Sequence, residues 1–246
     1  MIMKKLMMIA AFMVAAVSAN AQFEPGTWSI QPKIGGTISM MSNMPKLQGE
    51  SFKNVDVTID KSPIAGFIIG GEAEYQIAKA FSLAAGVNYS MQGSGWANYD
   101  EKIGDTKFEL KDAKIELGYI NIPIVANVYL FKGFAIKTGV QFGFMTNANM
   151  KFKRKISNDN YNVNGSYDSS IKDQCNKFDI AIPVGVSYQV PTIPIYIDGR
   201  VNIGLKKVFK DKTITIKDDI IDDVLYLDKD PKNFTIQVTV GYKFAL

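Results

Sequence analysis

In the stretch GFIIGGEAEY, Glu72 and Glu74 stand two residues apart, and in IYIDGRV the pair Asp198 and Arg200 repeats that spacing. On a β-strand, residues i and i+2 leave the same face, so each pair projects two charged groups into one environment. Carboxylates about 5 Å apart are what a retaining glycosidase uses, and a spacing of two on one strand face gives roughly that separation. A structural reading competes with it. Lys33, Lys137, Arg200, Lys206 and Lys243 fall on the same face as Glu72, Glu74, Asp179 and Asp198. Cations and carboxylates so mixed are expected to pair inside a narrow enclosure. We read these nine residues as a charge network filling a lumen, and we expect no catalytic, cofactor-binding or metal-ligating set.

Composition supports that choice. The chain has no histidine, which excludes Ser-His-Asp triads, Cys-His pairs and histidine-zinc sites. The glycines of GFIIGG and GVQFGFM lie inside strand patterns, where no helix follows to bind phosphate. The acidic run DDIIDDVLYLDKD, residues 218–230, lacks the ligand spacing and central glycine of a calcium loop. Cys175 is the single cysteine and has no internal disulfide partner; its polar surroundings suggest an incidental loop residue. In KFKRK, residues 151–155, Arg154 continues the parity of the apolar residues before it. It is a candidate contact to lipid phosphate, with a solvated loop charge as the alternative.

The elements that must position these residues show a period of two. Segments near 27–41, 64–77, 80–96, 115–130, 133–150, 177–190, 194–209 and 233–245 alternate apolar with polar or small side chains. The connections alternate too: tight turns at AKA, FK and PTI, and long links near 42–63, 97–114, 151–176 and 210–232. A meander built this way puts every short turn at one end and every long loop at the other, as outer-membrane barrels do. The charged face also carries Gly35, Gly66, Gly70, Gly86, Gly139, Gly143, Gly185, Gly204 and Gly241. Glycine weakens a strand unless space is short, and the inside of an eight-stranded barrel is just wide enough for side chains. The apolar face therefore points to lipid. Tyr75, Phe81, Tyr129, Phe131, Phe134, Tyr188, Tyr196, Tyr242 and Phe244 gather near the short turns and are expected to form an aromatic girdle. The expected fold is all-β, an eight-stranded antiparallel up-and-down transmembrane barrel.

Residues 1–21 place Lys4 and Lys5 before an apolar run and end on Ala19-Asn20-Ala21, the pattern of a secretory signal peptide cut before Gln22. Residues 22–246 then form one barrel domain. Taking Lys4 and Lys5 from the 28 basic residues leaves a net charge of +2 against 24 acidic ones. Nothing in that balance suggests nucleic acid. An integral outer-membrane location follows, with outer-membrane lipid, including lipopolysaccharide, as the surrounding partner and a monomer as the expected state.

The segments IGGTISMMSN, GFIIGGEAEYQIAKAFSLAAGVNYSMQGSG, LGYINIPIVANVYLFKGFAIKTGVQFGF and VTVGYKF also resemble, in order, a known family. It is the PorT family of small outer-membrane β-barrel proteins from Bacteroidetes. The resemblance covers the mature chain and implies an eight-stranded barrel with both ends in the periplasm. It brings no catalytic residues. It implies a possible link to secretion or gliding machinery, through a founding member connected with both. This chain departs from the pattern by continuing past GYKF with Ala245 and Leu246. The expected role is non-enzymatic, structural or interactive through the long loops. The alternatives are a narrow pore or solute channel, and a secreted soluble ligand-binding barrel with its faces inverted.

Overall fold

The computed structural model describes residues 24–51, 55–131, 133–191, 193–217 and 222–246. The expected signal peptide and the first four residues of the acidic run at 218–230 lie outside the described residues.

Eight long strands carry the architecture: β1 (Trp28–Ser42), β2 (Ile64–Ala78), β3 (Phe81–Trp96), β4 (Thr106–Phe131), β5 (Phe134–Ser157), β6 (Phe178–Gln189), β7 (Ile195–Lys207) and β8 (Lys232–Tyr242). Each pairs antiparallel with its chain neighbours, and β8 pairs back to β1 from Lys33↔Gly241 to Ser42↔Lys232. The ring is closed. Closure matters because an open edge in hydrocarbon would leave backbone N–H and C=O groups without partners. The short turns β2–β3, β4–β5 and β6–β7 lie at one end with both described termini, where Ser29 pairs with Ala245.

Burial follows the period of two. Along β1 exposed and buried residues alternate almost without a break. The outward face is apolar: Ile34, Val184 and Ile236 are 56%, 45% and 42% exposed. A continuous oily band of this kind is tolerable only where acyl chains replace water. On β5 it runs outward from Phe134 to Phe144. Ten rises of about 3.4 Å, tilted by about 40°, span about 26 Å, the height of an outer-membrane apolar band. Stacked or tilted aromatic pairs mark its lower rim: Trp28 with Tyr75, Phe131 with Phe134, and Tyr242 with Phe244, at centroid distances of 4.9, 4.7 and 4.3 Å.

Two sequence expectations fail here. Tyr129 and Tyr196 are not in the girdle. Both are buried inside the barrel, because Tyr129 shares the parity of inward Asn127 and Tyr196 that of inward Asp198. The long connections, read as loops, are largely strands. Tyr99–Ile103 pairs with β4, Asn162–Ser170 pairs with β5, and Leu47–Ser51/Val55–Ile59 and Thr213–Lys217/Asp222–Tyr226 form separate hairpins.

A bulge explains a third correction. Gly118 pairs with Asn147 but Tyr119 with Met145, so Thr146 is an extra residue in β5. Inward residues are odd below it (Ala135, Lys137, Gln141) and even above it (Ala148, Met150). Arg154 therefore does not point as the lipid-facing residues do. It shares the face of Phe152, and its side chain lies across Gly165 on the paired strand.

Candidate functional site: the filled lumen

At the short-turn end, β2, β5 and β7 bring charged side chains together with Lys33 of β1 and Lys243 just past β8. Arg200 is bidentate on Glu72, Nη1 donating to Oε1 at 2.6 Å and Nη2 to Oε2 at 2.7 Å. Lys33 donates to the same carboxylate. On its other side Arg200 meets Asp198, Nε at 2.8 Å from Oδ1, and Lys137 Nζ donates to Asp198 Oδ2 at 2.5 Å. A five-membered chain of alternating sign results. Beside it, Lys243 Nζ donates to Glu74 Oε2 at 3.0 Å, while Ser82, Tyr129 and Gln31 also donate to the Glu74 carboxylate. Ion pairs are expensive to bury, and multiple, well-aimed partners of this kind are the condition under which they persist.

Glycines make the room. A Cβ at Gly86 would stand 2.5 Å from Glu72 Cγ, and one at Gly185 would stand 2.9 Å from Arg200 Cγ. Both glycines are strand neighbours of the residue they would strike. The inward glycines of the sequence are thus the counterpart of its inward long side chains.

Two of the nine expected network residues stand apart. Asp179 is buried higher in the barrel, accepting from Asn233 Nδ2 at 2.9 Å and from its neighbour's backbone, Ile180 N, at 2.8 Å. Lys206 is outside altogether and exposed. The β7–β8 register shifts between Ile203 and Lys207, which breaks the alternation and turns this side chain to the outer surface. Its ammonium lies 4.8 Å from the centroid of the Phe178 ring. Among the described residues the buried charged side chains are then Lys33, Lys137, Arg200 and Lys243 against Glu72, Glu74, Asp179 and Asp198. The signs balance.

Above this layer the lumen holds neutral polar groups. Asn121 Nδ2 donates to Ser90 Oγ at 2.9 Å, Gln141 donates to Asn121 Oδ1 at 3.2 Å, Asn202 to Gln237 at 3.0 Å and Thr235 to Gln92 at 2.7 Å. Higher still it becomes apolar. Met41, Ile115, Leu117, Met145, Ala148 and Met150 of the barrel pack against Ile59, Ile171, Cys175, Phe209, Ile214 and Leu227 of the connections. Cys175 is no incidental loop residue: it is fully buried, bridges Phe209 through the backbone, and burial pushes its thiol up to about 12. The signal for this apolar lid is the isolated Ile, Phe and Leu residues of the connections, each too far from the next to form a pattern.

The lumen leaves little space. The cavity between Glu74, Tyr129, Lys137, Tyr196 and Lys243 measures about 10 Å³, the volume of about one water probe. Both oxygens of Glu72 and of Glu74 are hydrogen-bonded to protein donors. Among the described residues no cluster of three or more His, Cys, Asp or Glu could hold a metal ion.

A closed ring, an outward apolar band of membrane height and an ionic interior together specify a transmembrane barrel. The model of the family described as "Outer membrane protein beta-barrel domain" matches residues 20–210. The chain belongs to this outer-membrane β-barrel family. It is also similar to solved outer-membrane structures at low identity. OprG from Pseudomonas aeruginosa is 12% identical, covering 92% of this chain and 99% of that one, with a TM-score of 0.44. Ail of Yersinia pestis, solved with a heparin analogue, is 15% identical over 89% and 99%, with a TM-score of 0.39. The outer membrane protease OmpT from Escherichia coli is 11% identical over 90% and 97%, with a TM-score of 0.35. The search of curated proteins finds no match. As a family member, this barrel is a protein of the outer membrane.

Proposed function

We propose that this outer-membrane barrel is a closed, non-enzymatic monomer, surrounded by outer-membrane lipid including lipopolysaccharide, and that it acts through the strand-built hairpins on its long-connection side. One observation carries the reading: among the described residues, ion pairs occupy the lower lumen and an apolar lid covers the upper part, with a cavity of about 10 Å³ at the charged end. A channel needs a continuous wet path. A hydrolase needs a carboxylate that substrate can reach, and Glu72 and Glu74 are engaged on both oxygens. What remains accessible is the hairpin surface. There Tyr99–Ile103, the outer part of β4, the outer part of β5 and Asn162–Ser170 form a four-stranded blade, with Tyr161 and Val163 exposed on it.

The test is electrical. Purified protein in planar bilayers should give no unitary current; steady single-channel steps from the unmodified chain would replace this reading with the narrow pore. The resemblance to the PorT family supports seeking the partner among secretion or gliding components. Crosslinking from position 161 or 163 in intact cells should capture such a component, and capture lost on removing residues 159–167 would identify the blade as its contact.

A further inference from the structure

On β6 and β7 the outward apolar band ends at Phe178 and Leu205, and directly above it the surface becomes cationic. The irregularity between Ile203 and Lys207 directs the Lys206 backbone N–H inward to Asp179 and its side chain outward. There the ammonium lies over Phe178, whose ring packs on outward-facing Phe142 and Phe144 at centroid distances of 6.3 and 5.4 Å. A cation over an aromatic face is held by the ring quadrupole and keeps its N–H donors free.

Three more lysines belong to the same corner. Lys172 Nζ donates to the Thr146 carbonyl at 2.5 Å, Lys207 Nζ to the Lys210 carbonyl at 2.8 Å, and Lys210 Nζ to the Asp173 carbonyl at 2.7 Å. Asn176 ties the segment before β6 to the end of β7 by donating to the Lys207 carbonyl at 3.0 Å. A carbonyl oxygen takes a hydrogen bond without cancelling the charge. By contrast, Lys46, Lys107, Lys111, Lys114, Lys151 and Lys153 each have a carboxylate partner. Among the described residues no ion pair involves Lys172, Lys206, Lys207 or Lys210, so positive charge collects where acyl chains give way to head groups.

We propose that this corner binds the phosphate of an outer-leaflet glycolipid, with the phosphate on Lys206 and an acyl chain along Phe142, Phe144 and Phe178. The inference rests on the lipid contact proposed above and adds its site. The aromatic triad decides for a lipid over a free anion: a soluble phosphate would gain nothing from three rings in the apolar band, whereas an amphiphile uses both halves. Height agrees, since Phe144 and Phe178 are directly paired at the top of that band. A polybasic surface attracts anionic lipid at about 1 kcal/mol per lysine, or about fivefold in affinity.

The experiment is native mass spectrometry of the full chain released from detergent containing lipid A, phosphorylated or enzymatically dephosphorylated. A third arm adds inorganic phosphate at equal concentration. Lys206→Gln and Lys206→Glu are compared with the unmodified chain, and gel mobility without heating verifies that each is folded. Retention of phosphorylated lipid A should fall about fivefold in Lys206→Gln and further in Lys206→Glu. Dephosphorylated lipid A should bind all three forms alike, and inorganic phosphate should not compete. Equal retention of phosphorylated lipid A by the unmodified chain and Lys206→Gln overturns the site while leaving the general lipid contact standing. Displacement by inorganic phosphate overturns the lipid in favour of a free anion. If the unmodified chain retains neither lipid, the lipid contact falls together with its site.

Discussion

The lower and upper halves of the lumen are filled by opposite means. Near the short turns Arg200, Glu72, Asp198, Lys33 and Lys137 interlock through aimed donors and acceptors, while beneath the hairpins Leu117, Ile115, Met150 and Phe209 pack without directional bonds. The membrane explains the division. The lower half is bounded by strands whose outer faces already carry the apolar side chains, so the inner face is free to be polar. The upper half projects into water, and there the oily residues belong inside, as in a soluble protein. One sheet thus changes which face is greasy as it leaves the bilayer, and on β5 the extra residue Thr146 performs the exchange.

The two halves should respond differently to damage. The largest effect is expected for Glu72→Gln, which leaves buried Lys33 without a carboxylate and Arg200 with Asp198 alone. Loss of one partner of a buried pair costs about 3–5 kcal/mol, readable as a lower urea midpoint in detergent. Adding Lys33→Met to Glu72→Gln should recover part of that loss, because the stranded charge goes with it; a double variant no better than the single one would break the ionic description.

In the lid, Leu117→Ala should cost about 3 kcal/mol, in proportion to the cavity it leaves. A second substitution elsewhere in the lid, such as Ile214→Ala, should add to it with no rescue. Strong rescue there would erase the contrast between the halves.

Cys175 sharpens the comparison from the apolar side. Its thiol is fully buried and pushed up to about 12, which leaves roughly a thousandth of the thiolate of a free cysteine. Iodoacetamide at pH 8 should leave the folded barrel unmodified and alkylate Cys175 readily once the chain is unfolded. Rapid labelling of the folded form would show that the lid is open.

The smallest effect belongs to the exposed charges of the blade. Hydrogen bonds from Lys107 and Lys111 hold Glu109 down to about 2. With its folded value below the unfolded one, its contribution is complete above the ordinary glutamate range near pH 4.3 and fades as pH falls toward 2. An NMR titration should place its midpoint near 2; a midpoint near 4 would detach Glu109 from both lysines.

Period-two patterning made the eight strands legible, together with the inward direction of Glu72, Glu74, Lys137, Asp198 and Arg200. Alternation depends only on backbone pleat, which every strand shares. The pattern misled wherever a residue was inserted. One bulge at Thr146 moved Arg154 from the lipid-facing parity to the other, and one irregularity before Lys207 carried Lys206 out of the lumen. Nothing marks Thr146 in sequence, and Gly204, within the second site, is one of many strand glycines and does not single it out. Partner choice within the network was also hidden: that Arg200 would grip Glu72 across the barrel, 128 residues away, follows from closure of the ring and not from local spacing. The lid escaped because its residues, Ile59, Ile171, Phe209, Ile214 and Leu227, are scattered singly through polar connections and meet only when the hairpins fold over.

The orientation of the two faces can be tested directly with a carbene reagent dissolved in the lipid phase of reconstituted protein, followed by residue-level mapping. Ile34, Val184 and Ile236 should be labelled, while Gln141, Thr235 and Leu117 should be spared. Labelling of the latter three with protection of the former would contradict a barrel whose oily side meets lipid and whose interior is filled.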